Sequence, residues 1–181
     1  MKTALILHGI KGSSGENWFP WLKGELEQKG WKVILPDLPG TNHPSRKKWL
    51  TTVKNLLRDV DFSSLSIIGH SLGVTTALDL IETEGKKVNI LVSASGFARD
   101  YHAELNSYFL REKEVDLSRV KKLIEKPIVI YGDDDPYVPQ EELQYLADRL
   151  GVKPKILEKG GHLNKRSGYT KFPLILEFLE K

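Results

Sequence analysis

Short apolar runs alternate with longer amphipathic ones along the whole chain. The runs at 3–7, 32–35, 65–68, 88–92, 128–131 and 155–157 are brief and apolar without strict alternation, which predicts strands. Between them, apolar positions recur at helical spacing. The clearest set is Leu143, Leu146, Ala147 and Leu150, with Pro139 near its start, Glu141 and Glu142 in its first turn and Gly151 as its stop. Strand and helix in turn require parallel strands joined by right-handed crossovers, with helices on both faces, and strands buried on both faces need no polar side. The pattern therefore predicts one three-layer α/β domain over residues 1–181.

In such a sheet the ligand site lies beyond the carboxyl ends of the strands. The residues just after each apolar run are the polar ones: His8-Gly9-Ile10, Asp37, Ser71, the stretch 93–97, Asp133-Asp134-Asp135 and His162. A nucleophile, acids and a base are thus expected on one rim.

Gly69-His70-Ser71-Leu72-Gly73 carries the most information. Ile67 and Ile68 end a strand-like run before it and a helix-like run, 74–81, follows, so it reads as a nucleophile elbow. A turn of that kind holds its serine in a strained conformation that lifts Oγ above the sheet, and the flanking glycines let neighbouring backbone pass. A serine hydroxyl needs an adjacent base, usually a histidine held in one tautomer by a carboxylate. His162, in Gly160-Gly161-His162 after the last run, is the base candidate. His8 and His70 lie inside turns where a structural hydrogen bond is the commoner use, and His43 and His102 lie in polar loop sequence. Of the three consecutive acids, Asp135 is favoured over Asp134, with Asp133 behind, because Pro136 biases Asp135 toward extended backbone just before a helix. The order Ser71, Asp135, His162 is the order found in α/β-hydrolases. Oxyanion donors would be the backbone N–H groups of Leu72, after the nucleophile, and Ile10, after the first strand.

Composition narrows the partners. A net charge of +3, with its basic pairs scattered, gives no footprint for nucleic acid. There is no cysteine, which removes disulfides, thiolate metal sites and a cysteine nucleophile together. No apolar run approaches the length of a membrane span or a signal-peptide core, so the expectation is a cytoplasmic protein that engages neither membrane nor nucleic acid.

These motifs, with Leu7-His8-Gly9, Asn17-Trp18-Phe19-Pro20-Trp21-Leu22, Ser95-Gly96-Phe97-Ala98 and Asp134-Asp135-Pro136-Tyr137-Val138-Pro139, resemble the small serine hydrolases that include the retinoblastoma-binding serine hydrolase and the YdeN-like proteins. The resemblance spans nearly the whole chain. It implies a reduced α/β-hydrolase fold, six parallel strands in the order 2-1-3-4-5-6, with nucleophile, acid and base on Ser71, Asp135 and His162. Asp37-Leu38-Pro39-Gly40 departs from the asparagine-methionine-proline of the close family. Retinoblastoma binding is attributed to a Leu-x-Cys-x-Glu motif, which a chain without cysteine does not contain, so that partner is not carried over.

The expectation is a serine hydrolase acting on small carboxylic esters or related acyl substrates through an acyl-enzyme, with no cofactor. The alternatives are an interaction module on a hydrolase scaffold, or amide, thioester or peptide chemistry on the same triad. Trp18, shortly after the oxyanion loop, and Phe97 are candidate substrate-binding residues. Core packing is the competing reading for Trp18. Residues 97–123 would hold any small cap, with Tyr101, Leu105, Tyr108, Phe109 and Leu110 facing either substrate or core.

Overall fold

The computed structural model describes residues 1–180; Lys181, the last residue of the predicted domain, lies outside the described residues. Six strands are formed: β1 (Thr3–Leu7), β2 (Lys32–Ile34), β3 (Leu65–His70), β4 (Val88–Ala94), β5 (Ile124–Gly132) and β6 (Lys155–Leu157). They pair in parallel throughout, in the order β2-β1-β3-β4-β5-β6. The helices are α1 (Phe19–Gln28), α2 (Arg46–Leu56), α3 (Leu72–Glu84), α4 (Ser107–Arg111), α5 (Leu117–Lys122), α6 (Gln140–Leu150) and α7 (Pro173–Glu180). This is the α/β-hydrolase arrangement expected.

Successive strand side chains point to opposite faces, and here both faces are covered. Ala4, Ile6, Ile68, Ile90, Val92, Ile128 and Ile130 pack with Phe19, Leu22 and Leu26 of α1 and Ile175 and Leu179 of α7. Leu5, Leu7, Leu65, Ile67, Leu91, Val129 and Tyr131 pack with residues of α2 to α6. Burial on both sides is why these strands read as unbroken apolar runs. Strands β3, β4 and β5 extend beyond their apolar runs, because ladder pairing continues through small or polar residues such as Gly69, His70, Ser93 and Ala94. Helix α6 opens after Pro139, carries Glu141 and Glu142 in its first turn, and stops at Gly151, whose φ of 74° is a left-handed cap that suits glycine.

The 97–123 segment is fastened to the body. Phe109 and Leu110 are buried in the core, whereas Leu105 is exposed. Arg46, buried at the start of α2, forms a bidentate pair with Asp79 of α3 at 2.7 and 2.9 Å. Its remaining nitrogen, Nη1, donates to the carbonyls of Phe109, Leu110 and Lys113 at 3.1, 3.0 and 2.6 Å. One guanidinium therefore ties three helices together. No helix among the described residues is long and apolar enough to cross a membrane.

Candidate active site

The chain leaves β3 at His70 and enters α3 at Leu72, so Ser71 must make the whole turn. Its φ of 54° and ψ of −127° lie in a region that residues with a Cβ rarely adopt. The surroundings hold it there. Ser71 N–H donates to Ala94 O at 2.9 Å, and Val74 N–H returns to Ser71 O at 3.0 Å. A Cβ on Gly73 would come within 2.5 Å of Leu7 O, and one on Gly9 within 2.9 Å of Ser71 Cβ, so both glycines are required where the β1 loop passes the elbow.

That close approach brings two backbone donors to the serine. Leu72, as the first residue of α3, has no intrahelical acceptor for its N–H. Ile10 follows the Gly9 turn, and among the described residues neither N–H is taken by another protein group. His8 fixes the Ile10 loop from beneath. Its Nε2 accepts from Leu38 N–H at 2.9 Å, so Nδ1 carries the proton and donates to Gly9 O at 2.8 Å. Burial lowers the His8 pKa, with the Gly9 bond opposing, which favours the neutral ring that this two-sided pattern needs.

Across the rim, His162 Nδ1 sits 2.8 Å from Asp135 Oδ2 and 3.1 Å from Oδ1. Asp135 Oδ1 also accepts the N–H groups of Tyr137 and Val138 at 3.0 and 3.1 Å. Burial works to raise the Asp135 pKa. The hydrogen bond and charge of His162, with the two backbone N–H groups, outweigh it and hold the carboxyl below its ordinary value. The carboxylate side chain is wholly buried, and the imidazole retains 9% exposure. His162 Nε2 is unengaged among the described residues and makes no hydrogen bond to Ser71 Oγ, a contact that in such sites often tightens only with substrate.

The two other acids have separate tasks. Asp133 Oδ1 accepts Lys159 N–H at 2.8 Å and Asp134 Oδ1 accepts Gly161 N–H at 2.7 Å. Three consecutive aspartates thus hold residues 159, 161 and 162 of one loop.

Two expectations are corrected. Trp18 has no exposed surface; its ring packs edge-on against Phe19 and Phe172, and Nε1 donates to Leu163 O at 2.9 Å. It belongs to the core and walls no pocket above Ser71. Phe97 is also fully buried, edge-on to Tyr101, so neither ring presents surface at the rim. The tryptophan's large apolar surface places it among the α1 side chains in the sheet's second core, and Phe97 turns beneath the β4 end into the first. Tyr137, not anticipated, is the aromatic at the rim. It is 49% exposed and stands edge-on to the His162 ring with centroids 5.1 Å apart. No cluster of three His, Cys, Asp or Glu among the described residues is placed to hold a metal ion.

A family model described as serine hydrolase matches residues 4–181. The chain belongs to the serine hydrolase family. This serine hydrolase is 26% identical to the YdeN hydrolase of Bacillus subtilis over 98% of its own length and 94% of that protein's. The crystal structure of YdeN superposes with a TM-score of 0.91, covering 99% of this chain and 97% of the other. Serine hydrolase RBBP9 of Rattus norvegicus is 29% identical, covering 88% of this chain and 86% of its own. Est1E from Butyrivibrio proteoclasticus, in a structure with ferulic acid bound, shares the fold at a TM-score of 0.73 and 18% identity, covering 100% of this chain and 90% of its own.

Proposed function

We propose that this serine hydrolase cleaves small carboxylic esters or related acyl compounds with Ser71 as nucleophile, His162 as base and Asp135 as its orienting acid. The observation that carries the reading is the buried Asp135–His162 pair on the same rim as a strained Ser71 that is flanked by two free N–H donors. Asp135 keeps the proton on Nδ1, which leaves the Nε2 lone pair to take the Ser71 hydroxyl proton as Oγ attacks the acyl carbon. The carbonyl oxygen, now an oxyanion, is received by the N–H groups of Ile10 and Leu72. Collapse breaks the bond to the leaving alkoxide, which takes the proton from His162. Water, deprotonated by the same imidazole, then releases the acid and restores Ser71. Tyr137 is the side chain placed to meet the substrate beside His162, in place of Trp18.

A fluorophosphonate probe tests the reading, with p-nitrophenyl esters of graded chain length to follow turnover. Wild type is expected to label covalently and Ser71→Ala to lose labelling while remaining folded, with esterase rate reduced on the order of 10³-fold or more. Labelling retained in folded Ser71→Ala overturns the assignment.

A further inference from the structure

The loop that carries His162 does not hold itself. Lys159, Gly161 and Leu163 have φ of 51°, 54° and 50°, so alternate residues sit in the left-handed region and two of them carry side chains. Such a path persists only when its surroundings over-determine it. On one side the struts are Asp133 and Asp134, already described. On the other side two aromatic N–H donors take the two carbonyls at the base itself: His70 Nε2 lies 2.8 Å from His162 O, and Trp18 Nε1 lies 2.9 Å from Leu163 O. Asn17 Oδ1 accepts Lys165 N–H at 2.8 Å, so the Asn17-Trp18 pair spans the loop's exit.

A carbonyl oxygen only accepts, so His70 carries its proton on Nε2. His70 is also the residue bonded to Ser71. One residue and one hydrogen bond therefore link the nucleophile to the base. Trp18 stands edge-on to the His70 ring with centroids 6.3 Å apart, so the two donors brace each other.

We infer that His70 and Trp18 are positioning residues for His162, gripping the carbonyls of residues 162 and 163 so that the imidazole spans from Asp135 to Ser71. The inference rests on the triad reading above. A purely packing role would need only ring volume, whereas this role needs the N–H. That difference makes the grip testable apart from core stability.

The full chain is compared as wild type, His70→Leu, His70→Gln, whose amide keeps an N–H near the Nε2 position, and Trp18→Phe, which keeps an aromatic ring without a donor. The NMR signal of the His162 Nδ1 proton, which a carboxylate hydrogen bond shifts downfield, reads the Asp135–His162 pairing without turnover. The groups facing that ring are Asp135, His70 and Tyr137. His70→Leu and Trp18→Phe are expected to move that Nδ1 proton signal upfield, as the ring turns from the carboxylate and its charge-assisted hydrogen bond weakens. They are also expected to lower kcat toward p-nitrophenyl acetate by about 10- to 100-fold with KM little changed. His70→Gln should restore both. A folded His70→Leu with the wild-type Nδ1 proton signal and kcat overturns the inference, as does His70→Gln failing to the same degree as leucine. Should His70→Leu not fold, Trp18→Phe decides by the same readouts. If wild type is not labelled at Ser71, the triad reading fails while the Nδ1 proton signal still decides whether the grip exists.

Discussion

Asp135→Asn is the sharpest perturbation of this site, because the structure dictates which way the amide must face. Oδ1 of Asp135 receives the N–H groups of Tyr137 and Val138 and must stay an oxygen. The amide nitrogen is then forced into the place of Oδ2, 2.8 Å from His162 Nδ1. Two N–H groups cannot face each other there. The imidazole moves its proton to Nε2, and the atom that should accept from Ser71 becomes a donor. A tautomer error of this kind costs on the order of 10⁴-fold in rate, about 5.5 kcal/mol of transition-state stabilisation. Asp134→Asn differs, since its Oδ1 meets the Gly161 N–H alone and an asparagine can present the same oxygen. Its loss should stay below about tenfold, as a single hydrogen bond is kept and only its charge assistance removed. The assay is single-turnover acylation by a p-nitrophenyl ester near pH 8, with circular dichroism to confirm folding. Asp135→Asn within tenfold of wild type would refute the tautomer argument. An equal loss in Asp134→Asn would reassign the acid.

Two stability predictions follow from buried polar groups. Burial, reinforced by the neighbouring His162, lowers the His70 pKa to about 3, so the unfolded chain binds a proton that the folded one refuses over the range between that value and the ordinary one. Its contribution is fully present above about pH 6.5 and drains away as pH falls, by about 1.4 kcal/mol per pH unit; urea unfolding at pH 7 and 4.5 should differ by about 3 kcal/mol from this residue, and His70→Gln should flatten the dependence by that amount. An unchanged slope in the glutamine variant would mean His70 is accessible to protons in the fold. Arg46→Met leaves Asp79 buried with only Lys113 at 3.6 Å, and should cost about 3 to 5 kcal/mol, a melting shift on the order of 10 °C. Arg46→Met combined with Asp79→Leu should recover more than half, and a double variant no more stable than the single would refute the unpaired-charge explanation.

The layered architecture was legible because it rests on local pattern: apolar runs long enough to be buried twice, separated by segments of helical period. That Ser71, Asp135 and His162 lie on one rim was legible because strand ends in a parallel sheet meet there, and that rule needs only chain order. The role of Trp18 was not. Its Nε1 meets a carbonyl 145 residues away, and nothing in the local spacing of Asn17-Trp18 says that the ring turns inward. Phe97 failed likewise, because proximity to a strand end does not fix which way a side chain points. The tasks of Asp133 and Asp134 were hidden for a related reason. Each bonds a backbone N–H of the neighbouring loop, and a backbone donor leaves no mark on residue identity.

The ladder between β5 and β6 has consequences for how activity is lost. It comprises three residue pairs at the sheet's edge, and Ile156 in its middle is about half exposed. The proposed nucleophile and oxyanion donors follow interior strands, but the proposed base follows this short outer one. Fraying of β6 would carry His162 away from its partners while leaving β1, β3 and β4 paired, because cooperative units open separately and edges open first. Inactivation and denaturation are then distinct events. A molecule opened only at its last strand would be chemically silent, a change that spectroscopy of the backbone would hardly register and turnover would report at once.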